Sequence, residues 1–157
     1  MNSSDNWLMH DHSEHEELLS RCREAVEVED WDGAGSLFNE LIDELKWHIR
    51  QEEEVVYPAY ETEVGHTGGP TAALRLEHVR ILDFIHDTQR VFSSHNSEAV
   101  LDCLERLEQL LIKHHEKEED IFLPMASLIL QDSREEVMQK MRTFDTSREE
   151  DETGDER

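Results

Sequence analysis

The segment HIRQEEEVVYP, residues 48–58, recurs in altered form as HHEKEEDIFLP at residues 114–124. Both copies read His-x-x-x-Glu-Glu-acidic-apolar-apolar-apolar-Pro, and they lie 66 residues apart. The same offset relates His12 to His78, and each of these histidines follows an acidic residue. It also pairs apolar positions such as Leu8 with Leu74, Leu41 with Leu107, and Leu45 with Leu111. The chain therefore reads as two similar halves, which suits two hairpins packed around a pseudo-two-fold axis.

The apolar residues are spaced as in helices over almost the whole chain. We predict a first helix over residues 5–28, a second that carries Phe38 and ends near Pro58 or one turn later, a third over 71–92, and a fourth that carries Leu104 to Met125. The breaks between them are expected at 31–33, 63–70 and 93–97. A capping-box pattern at 133–136 opens a short fifth helix to about Arg142. The fold class is therefore all-α: an up-down-up-down four-helix bundle with a short C-terminal fifth helix.

Length and charge limit the domain organisation and the partners. A chain of 157 residues suits one domain, expected over residues 5–142, and the highly charged residues 143–157 are expected to form an acidic, disordered tail. The formal net charge of −24 argues against binding to nucleic acid. No apolar run approaches the roughly 18–20 residues of a membrane span, and residues 1–8 lack a signal peptide pattern. Cys22 and Cys103 are expected to be reduced core residues of a cytoplasmic protein.

The repeated histidines and glutamates fall on the apolar faces of their helices. An isolated His and Glu four residues apart usually form a solvated surface pair. Here the pair occurs twice with its flanking residues, and the apolar faces of the first and third helices each add a histidine. Burying such groups is costly unless they are paired or bind a cation, so the pattern favours a metal site. The six predicted ligands are His12, His48, Glu52, His78, His114 and Glu118.

Neighbouring residues compete for these positions. His114 is preferred to His115 because it keeps the ten-residue spacing to Pro124 that the first copy also has. His12 is preferred to His15 because His78 is its partner under the offset. His15 is then either a histidine packed in the core, or an extra ligand or proton donor near bound oxygen. Glu53 and Glu119 are expected to point away from the site and to be solvated or placed behind the ligands.

Imidazole and carboxylate donors favour iron, manganese or zinc over magnesium or calcium. Six protein ligands exceed what one tetrahedral zinc needs. They suit a dinuclear centre in which each glutamate bridges two metals about 3.5–4 Å apart.

The motifs in their order resemble those of the hemerythrin-like, His-His-Glu cation-binding family. The matching signatures are Asp11-His12, His48-x-x-x-Glu52-Glu53, Glu77-His78 and His114-x-x-x-Glu118-Glu119. The segments 51–58, 68–71 and 75–78 look like those of a bacterial single-domain subgroup, and the resemblance spans roughly residues 5–142. It implies a four-helix bundle with a non-heme di-iron centre, oxo- or hydroxo-bridged. The four histidines would then be terminal ligands, and Glu52 and Glu118 would be bridging carboxylates.

The chain departs from the oxygen-carrying members at Leu74, where they have a further histidine. Each iron would then be five-coordinate with an open position, unless His15 fills the gap. The function expected from the resemblance is binding, sensing or reaction with dioxygen, peroxide or nitric oxide. The alternative is an iron-handling or iron–sulfur repair protein that stores or donates iron. The expected partners are a small diatomic or peroxide ligand and an unidentified reductase, with the chain a monomer or weak oligomer.

Overall fold

The computed structural model describes residues 7–8 and 12–154, with side chains up to Arg148. Within these residues the secondary structure is helical and contains no strand, which confirms the predicted bundle. Three parts of the prediction lie outside this description: Asp11 of the first signature, the start of the predicted first helix, and residues 155–157 of the predicted tail. The helices are α1 (Ser13–Glu27), α2 (Trp31–Gln51), α3 (Tyr57–Val64), α4 (Pro70–Phe92), α5 (Ser97–Lys117), α6 (Leu123–Ile129) and α7 (Arg134–Gly154).

Helix α1 begins later than predicted, at Ser13 rather than near residue 5. Trp7 and Leu8 lie in a turn instead. Tertiary contacts hold this turn, because Leu8 is buried in the core and Trp7 Nε1 donates a hydrogen bond to the Ser127 carbonyl at 3.2 Å. His12 is thus the residue that precedes α1 rather than a residue within a helix.

Helix α2 begins at Trp31, where the sequence predicted a break. Asp30 caps it, since its side chain accepts a hydrogen bond from the Gly33 amide at 3.0 Å. Glu29, with φ of 57°, completes the tight connection from α1. Asn96 caps α5 in the same way, with Ala99 N–H as the donor at 3.1 Å. The short loop and the cap together set α2 antiparallel to α1.

Two π-helical segments, which the sequence analysis did not anticipate, interrupt the second and fourth long helices. The first π segment is Glu52–Val56 between α2 and α3, and the second π segment is Glu118–Phe122 between α5 and α6. In each, the amide five residues on donates to the glutamate carbonyl, and a proline follows at the start of the next helix. Proline has no N–H to give to the helix ladder, and a local i→i−5 turn accommodates it. Each segment begins at a predicted bridging glutamate.

The core has two apolar clusters, one on each side of the polar residues. The first cluster joins α1, α2, α4 and α5, with Leu41, Leu104 and Leu107 wholly buried. The second cluster joins the π segments, α3, α6 and α7, with Val56 and Leu123 wholly buried. Each side chain of this kind stabilises the fold by about 1.5–3 kcal/mol. Cys22 is buried and Cys103 half-buried, and both are free thiols. None of the described helices is long and apolar enough to cross a membrane.

The prediction of a disordered tail from residue 143 is wrong over the residues that the structure describes. Helix α7 continues to Gly154. The Phe144 ring packs on Trp47 with centroids 4.3 Å apart, and Arg148 Nη2 lies 2.6 Å from Glu44 Oε1. These contacts attach the acidic helix to α2, which charge alone could not reveal.

Candidate metal centre

The structure brings all six predicted ligands together in the middle of the bundle. Their donor atoms form two groups whose members lie within 4.8 Å of one another. One group contains Glu52, His78, His114 and Glu118, and the other contains His12, His48 and Glu118. Glu118 belongs to both groups, as a bridging carboxylate would.

The four imidazoles face each other in two pairs. His12 Nε2 and His48 Nε2 are 3.2 Å apart, and His78 Nε2 and His114 Nε2 are 3.0 Å apart. The 66-residue offset converts one pair into the other. The repeat in the sequence is therefore a repeat in the geometry, with two equivalent places where a pair of Nε2 atoms converges.

The two glutamates reach both pairs. Glu118 Oε1 lies 2.6 Å from His114 Nε2, and its Oε2 lies 3.4 Å from His12 Nε2. Glu52 Oε1 lies 3.1 Å from His48 Nε2 and 3.9 Å from His78 Nε2. Carboxylates placed between two sets of imidazoles are suited to joining two cations.

Both carboxylates are completely buried, and much of their hydrogen-bonding capacity is unused. Glu52 Oε1 and both carboxylate oxygens of Glu118 have no hydrogen-bond partner of good geometry. Leaving buried charges without compensation costs several kcal/mol, and cations would offset that cost. Nitrogen and oxygen donors of this kind fit iron, manganese or zinc. The residues present therefore fit a metal centre.

The pKa values of the two glutamates move in opposite directions. Burial raises the pKa of Glu52, and the nearby Glu118 carboxylate adds to the effect. Burial would also raise the pKa of Glu118, but the neighbouring imidazoles of His114, His12 and His78 hold it well below its usual range. Like charges this close disfavour double ionisation, and a cation between the two carboxylates would remove that cost.

A second layer of carboxylates lies behind the imidazoles. Glu119 Oε1 is 2.6 Å from His12 Nδ1, and Glu77 Oε1 is 2.9 Å from His114 Nδ1. Glu53 Oε2 is 3.6 Å from His78 Nδ1. Imidazoles that ligate metals usually give their second N–H to such a group, which fixes the ring and leaves Nε2 free to coordinate. Glu53 and Glu119 therefore lie behind the ligands, one of the two placements expected for them.

Glu77 has a role that its position in the sequence did not indicate. It precedes His78 but contacts His114 on the neighbouring helix, and Lys117 donates a further hydrogen bond to it. Burial would lower the pKa of His114, but Glu118 and Glu77 raise it to about 9. Glu77 thus connects α4 to α5 at the site.

Tyr57 is a neighbour of the site that sequence reasoning missed. Its hydroxyl donates a hydrogen bond to Glu52 Oε2 at 3.0 Å, and its ring stacks on His78 with centroids 5.8 Å apart. Residues five apart do not face each other on an α-helix, but the first π segment brings Tyr57 next to Glu52.

His15 and His115 are both buried next to the centre, and neither belongs to a ligand group found among the described residues. The His115 ring stacks on His12 with centroids 3.7 Å apart, and His15 lies 5.6 Å from His48 by the same measure. Burial lowers the pKa of His15 to about 4 and that of His115 to about 2, and neighbouring histidines add to both shifts. The sequence marked His15 as ambiguous but gave no sign that His115 is buried.

Comparisons with known proteins agree with this geometry. A family model described as the hemerythrin HHE cation binding domain matches residues 3–126. An uncharacterized hemerythrin-like protein of Schizosaccharomyces pombe is 28% identical over 136 residues. That alignment covers 86% of this chain and 65% of the yeast protein, so the chain spans less than two thirds of its relative. No solved structure matches the chain.

Proposed function

The chain belongs to the hemerythrin HHE cation-binding family, and from this premise we propose that it is a non-heme di-iron protein that binds, senses or reacts with dioxygen, peroxide or nitric oxide. The family is one of cation-binding domains, so the role of this chain in metal binding follows from membership. The choice of iron, the number of metals and the small-molecule ligand are our proposal.

One observation carries the proposal: two convergent imidazole pairs share the buried carboxylate of Glu118. A single cation would use only one pair. Two cations would use both, with His12 and His48 on one, His78 and His114 on the other, and Glu52 and Glu118 between them. A centre of this kind, loaded with iron, would supply redox chemistry with small oxygen or nitrogen species.

The surroundings support a resident metal rather than one passed to other proteins. The carboxylates of Glu119 and Glu77 hold the rings of His12 and His114 from behind, and all six ligand candidates are largely enclosed by protein. Leu74, at the position where a fifth histidine would stand in an oxygen carrier, is buried in the second apolar cluster. Each metal would therefore keep a position open for an external ligand.

Metal analysis with optical spectroscopy tests this proposal. We expect about two irons per chain after aerobic purification, with near-ultraviolet and blue absorption that changes on reduction. Glu52→Ala should abolish the dinuclear centre, whereas Glu116→Ala, which removes an exposed glutamate near Glu118, should keep it. A colourless protein that carries zinc or no metal would contradict the proposal. Rapid transfer of iron to an apo acceptor, without peroxide or nitric oxide chemistry, would favour iron handling instead.

A further inference from the structure

Basic side chains gather along the groove between α4 and α5. Two adjoining cavities of about 170 Å³ and about 250 Å³ form this groove, and they share Glu77 and Lys117 as walls. Arg80 and Lys113 add two further exposed bases to the walls. Glu77 is the single acid among the wall residues, and it already contacts Lys117 and His114. A chain with a net charge of −24 thus presents a basic groove to solvent at this place.

Apolar surface is also open along this groove. Ile121 lines it and is 63% exposed, and Leu76 and Val79 on α4 are 52% and 54% exposed. Single exposed apolar residues are ordinary, but several along one groove mark a surface that a partner can bury. The exposed acids of the neighbouring turns, Glu116 and Asp120, line neither cavity. The groove therefore combines an apolar floor with a basic rim.

The first half of the chain shows what covers the equivalent face. Helix α7 lies on that face through four contacts: Arg134 over the Trp7 ring at 5.8 Å, Val137 buried with Val55, Phe144 packed on Trp47, and Asp145 bonded to Gln51 at 3.2 Å. Under the 66-residue offset, the four covered residues correspond to Ala73, Ile121, Lys113 and Lys117. All four of these counterparts line the open groove. In the first half a helix covers this face, and in the second half the described residues leave it open.

The substitutions between the halves define the helix that would fit. Lys113 and Lys117 stand where the first half has the uncharged Trp47 and Gln51, whereas Ile121 keeps the apolar character of its counterpart. A helix placed here as α7 is placed on the first half would meet two positive charges and one apolar side chain. Complementary charges favour docking and select against other partners.

A second copy of this chain does not meet these requirements. Two copies that met groove to groove would bring Arg80, Lys113 and Lys117 against the same residues of the other copy, because a two-fold interface pairs a surface with itself. The apolar face of α7 in each copy is already packed on its own α2 through Phe144. The occupant that fits is therefore a helix of a different protein.

We propose that the groove between α4 and α5 binds an amphipathic helix of another protein, which places acidic residues against Lys113 and Lys117 and an apolar residue against Ile121. Binding an amphipathic helix in a groove is a recurrent mode of recognition between proteins. His114 also lines the groove, so the bound helix would lie against one of the ligand candidates. The interaction needs no metal and goes beyond the function proposed above.

A peptide derived from α7 is the probe for this groove. It contains residues 134–154 with two changes, Phe144→Glu to meet Lys113 and Arg148→Leu to meet Leu110, the counterpart of Glu44. The labelled peptide would be titrated with the full chain and followed by fluorescence anisotropy. We expect a Kd below about 100 μM. The affinity should fall about threefold or more between about 50 mM and 500 mM salt, because exposed charges are screened.

Variants of the protein locate the binding surface. Lys113→Glu and Ile121→Ser should each weaken peptide binding about tenfold or more, since one reverses a charge and the other removes an apolar contact. Lys46→Glu and Val28→Ser are the matched controls, because they change exposed residues outside the groove and should alter the affinity less than about twofold. A peptide with Phe144→Lys instead should bind the Lys113→Glu protein better than the wild type. A distorted groove would not produce this exchange of preference.

Three results would overturn the proposal. The first is no binding of the peptide up to about 1 mM. The second is binding that neither Lys113→Glu nor Ile121→Ser weakens. The third is a wild-type dimer, seen by sedimentation without peptide, that Ile121→Ser dissociates, because a second copy would then occupy the groove. None of these measurements depends on metal content, so a failure of the proposed function would leave them interpretable.

Discussion

At the scale of single residues, Tyr57 shows how a side chain that is not itself a ligand candidate can orient one that is. Burial and the Glu52 carboxylate raise the pKa of Tyr57, so its hydroxyl stays protonated and donates. The hydrogen bond occupies Glu52 Oε2 and leaves Oε1 directed toward His48 and His78. The Arg75 guanidinium lies over the Tyr57 ring, 5.5 Å from its centroid. One bond thus orients a carboxylate that a metal would need.

Tyr57→Phe should therefore destabilise the protein without removing its metals. It leaves a buried carboxylate oxygen unsatisfied, which costs about 1–3 kcal/mol. Urea unfolding of the metal-free protein measures the change, and metal analysis of the protein as purified checks the content. Tyr60→Phe is the matched control, because the Tyr60 hydroxyl has only a weak contact with Met125 Sδ at 3.9 Å. Equal free energies of unfolding for the two variants would show that the bond to Glu52 has no structural weight.

At the scale of elements, the π segments explain why some neighbours could be predicted and others could not. His48 and Glu52 lie one α-helical turn apart, so the spacing of the sequence predicted that they share a face. Tyr57 comes after the π segment, where the helical phase changes by a fraction of a turn. A prediction from apolar periodicity assumes a constant number of residues per helical turn, and this assumption fails beyond Glu52 and Glu118. The prolines at 58 and 124 are the available signal, but the second helix is predicted to end near Pro58 or one turn later, and the fourth to continue unbroken to Met125.

Helix α7 belongs to the fold at this scale, so its removal should be costly. A chain that ends at residue 142 loses the contacts of Phe144 with Trp47, of Asp145 with Gln51 and of Arg148 with Glu44. We expect a loss of about 2–4 kcal/mol, mainly from the apolar area of one aromatic ring. A chain that ends at residue 148 keeps these contacts and serves as control. Equal melting temperatures for both truncations would indicate that the acidic segment does not contribute to stability.

The interactions of Glu61 on α3 with Arg75 and Thr71 on α4 make a contribution to stability that depends on pH. Hydrogen bonds from Arg75 lower the pKa of Glu61; burial opposes the shift and Thr71 supports it. Because the folded-state pKa is depressed, the stabilisation is complete above the unfolded value of 4.5 and is lost as pH falls through the folded value. Glu61→Gln should be less stable than the wild type at pH 7, and the difference should shrink below pH 4.5. Chemical unfolding of both metal-free proteins between pH 3 and pH 7 measures it, and a constant difference would contradict the linkage.

At the scale of the whole molecule, the pseudo-two-fold repeat made the fold and the ligand groups predictable from one chain. Each half supplied an independent copy of the same pattern, so chance pairs such as His115 with Glu119 could be rejected. The features that break the symmetry were not predictable. Tyr57 corresponds to Leu123, and His115 corresponds to Ile49. A repeat identifies what the halves share, and only the packed structure shows what surrounds each copy.

Burying the carboxyl groups of Glu52 and Glu118 destabilises the metal-free bundle, and a bound cation would offset this cost. Glu52→Gln keeps the shape of the side chain and removes a carboxyl group whose ionised form is disfavoured by burial and by Glu118. The metal-free variant should therefore be more stable than the metal-free wild type, by about 1–3 kcal/mol. With metal the order should reverse, because binding at about a thousand times Kd adds about 4 kcal/mol to the wild type and less to a variant that lacks a ligand.

Thermal melting of both proteins, with and without the metal, tests this reversal. Glu54→Gln is the matched control, since Glu54 is exposed on the same segment and should shift neither melting temperature. If Glu52→Gln destabilised the metal-free protein as much as the loaded one, Glu52 would act as a structural ion-pair partner of His48. If the order of the two melting temperatures instead reverses when metal is added, Glu52 serves metal binding at the expense of the stability of the metal-free protein.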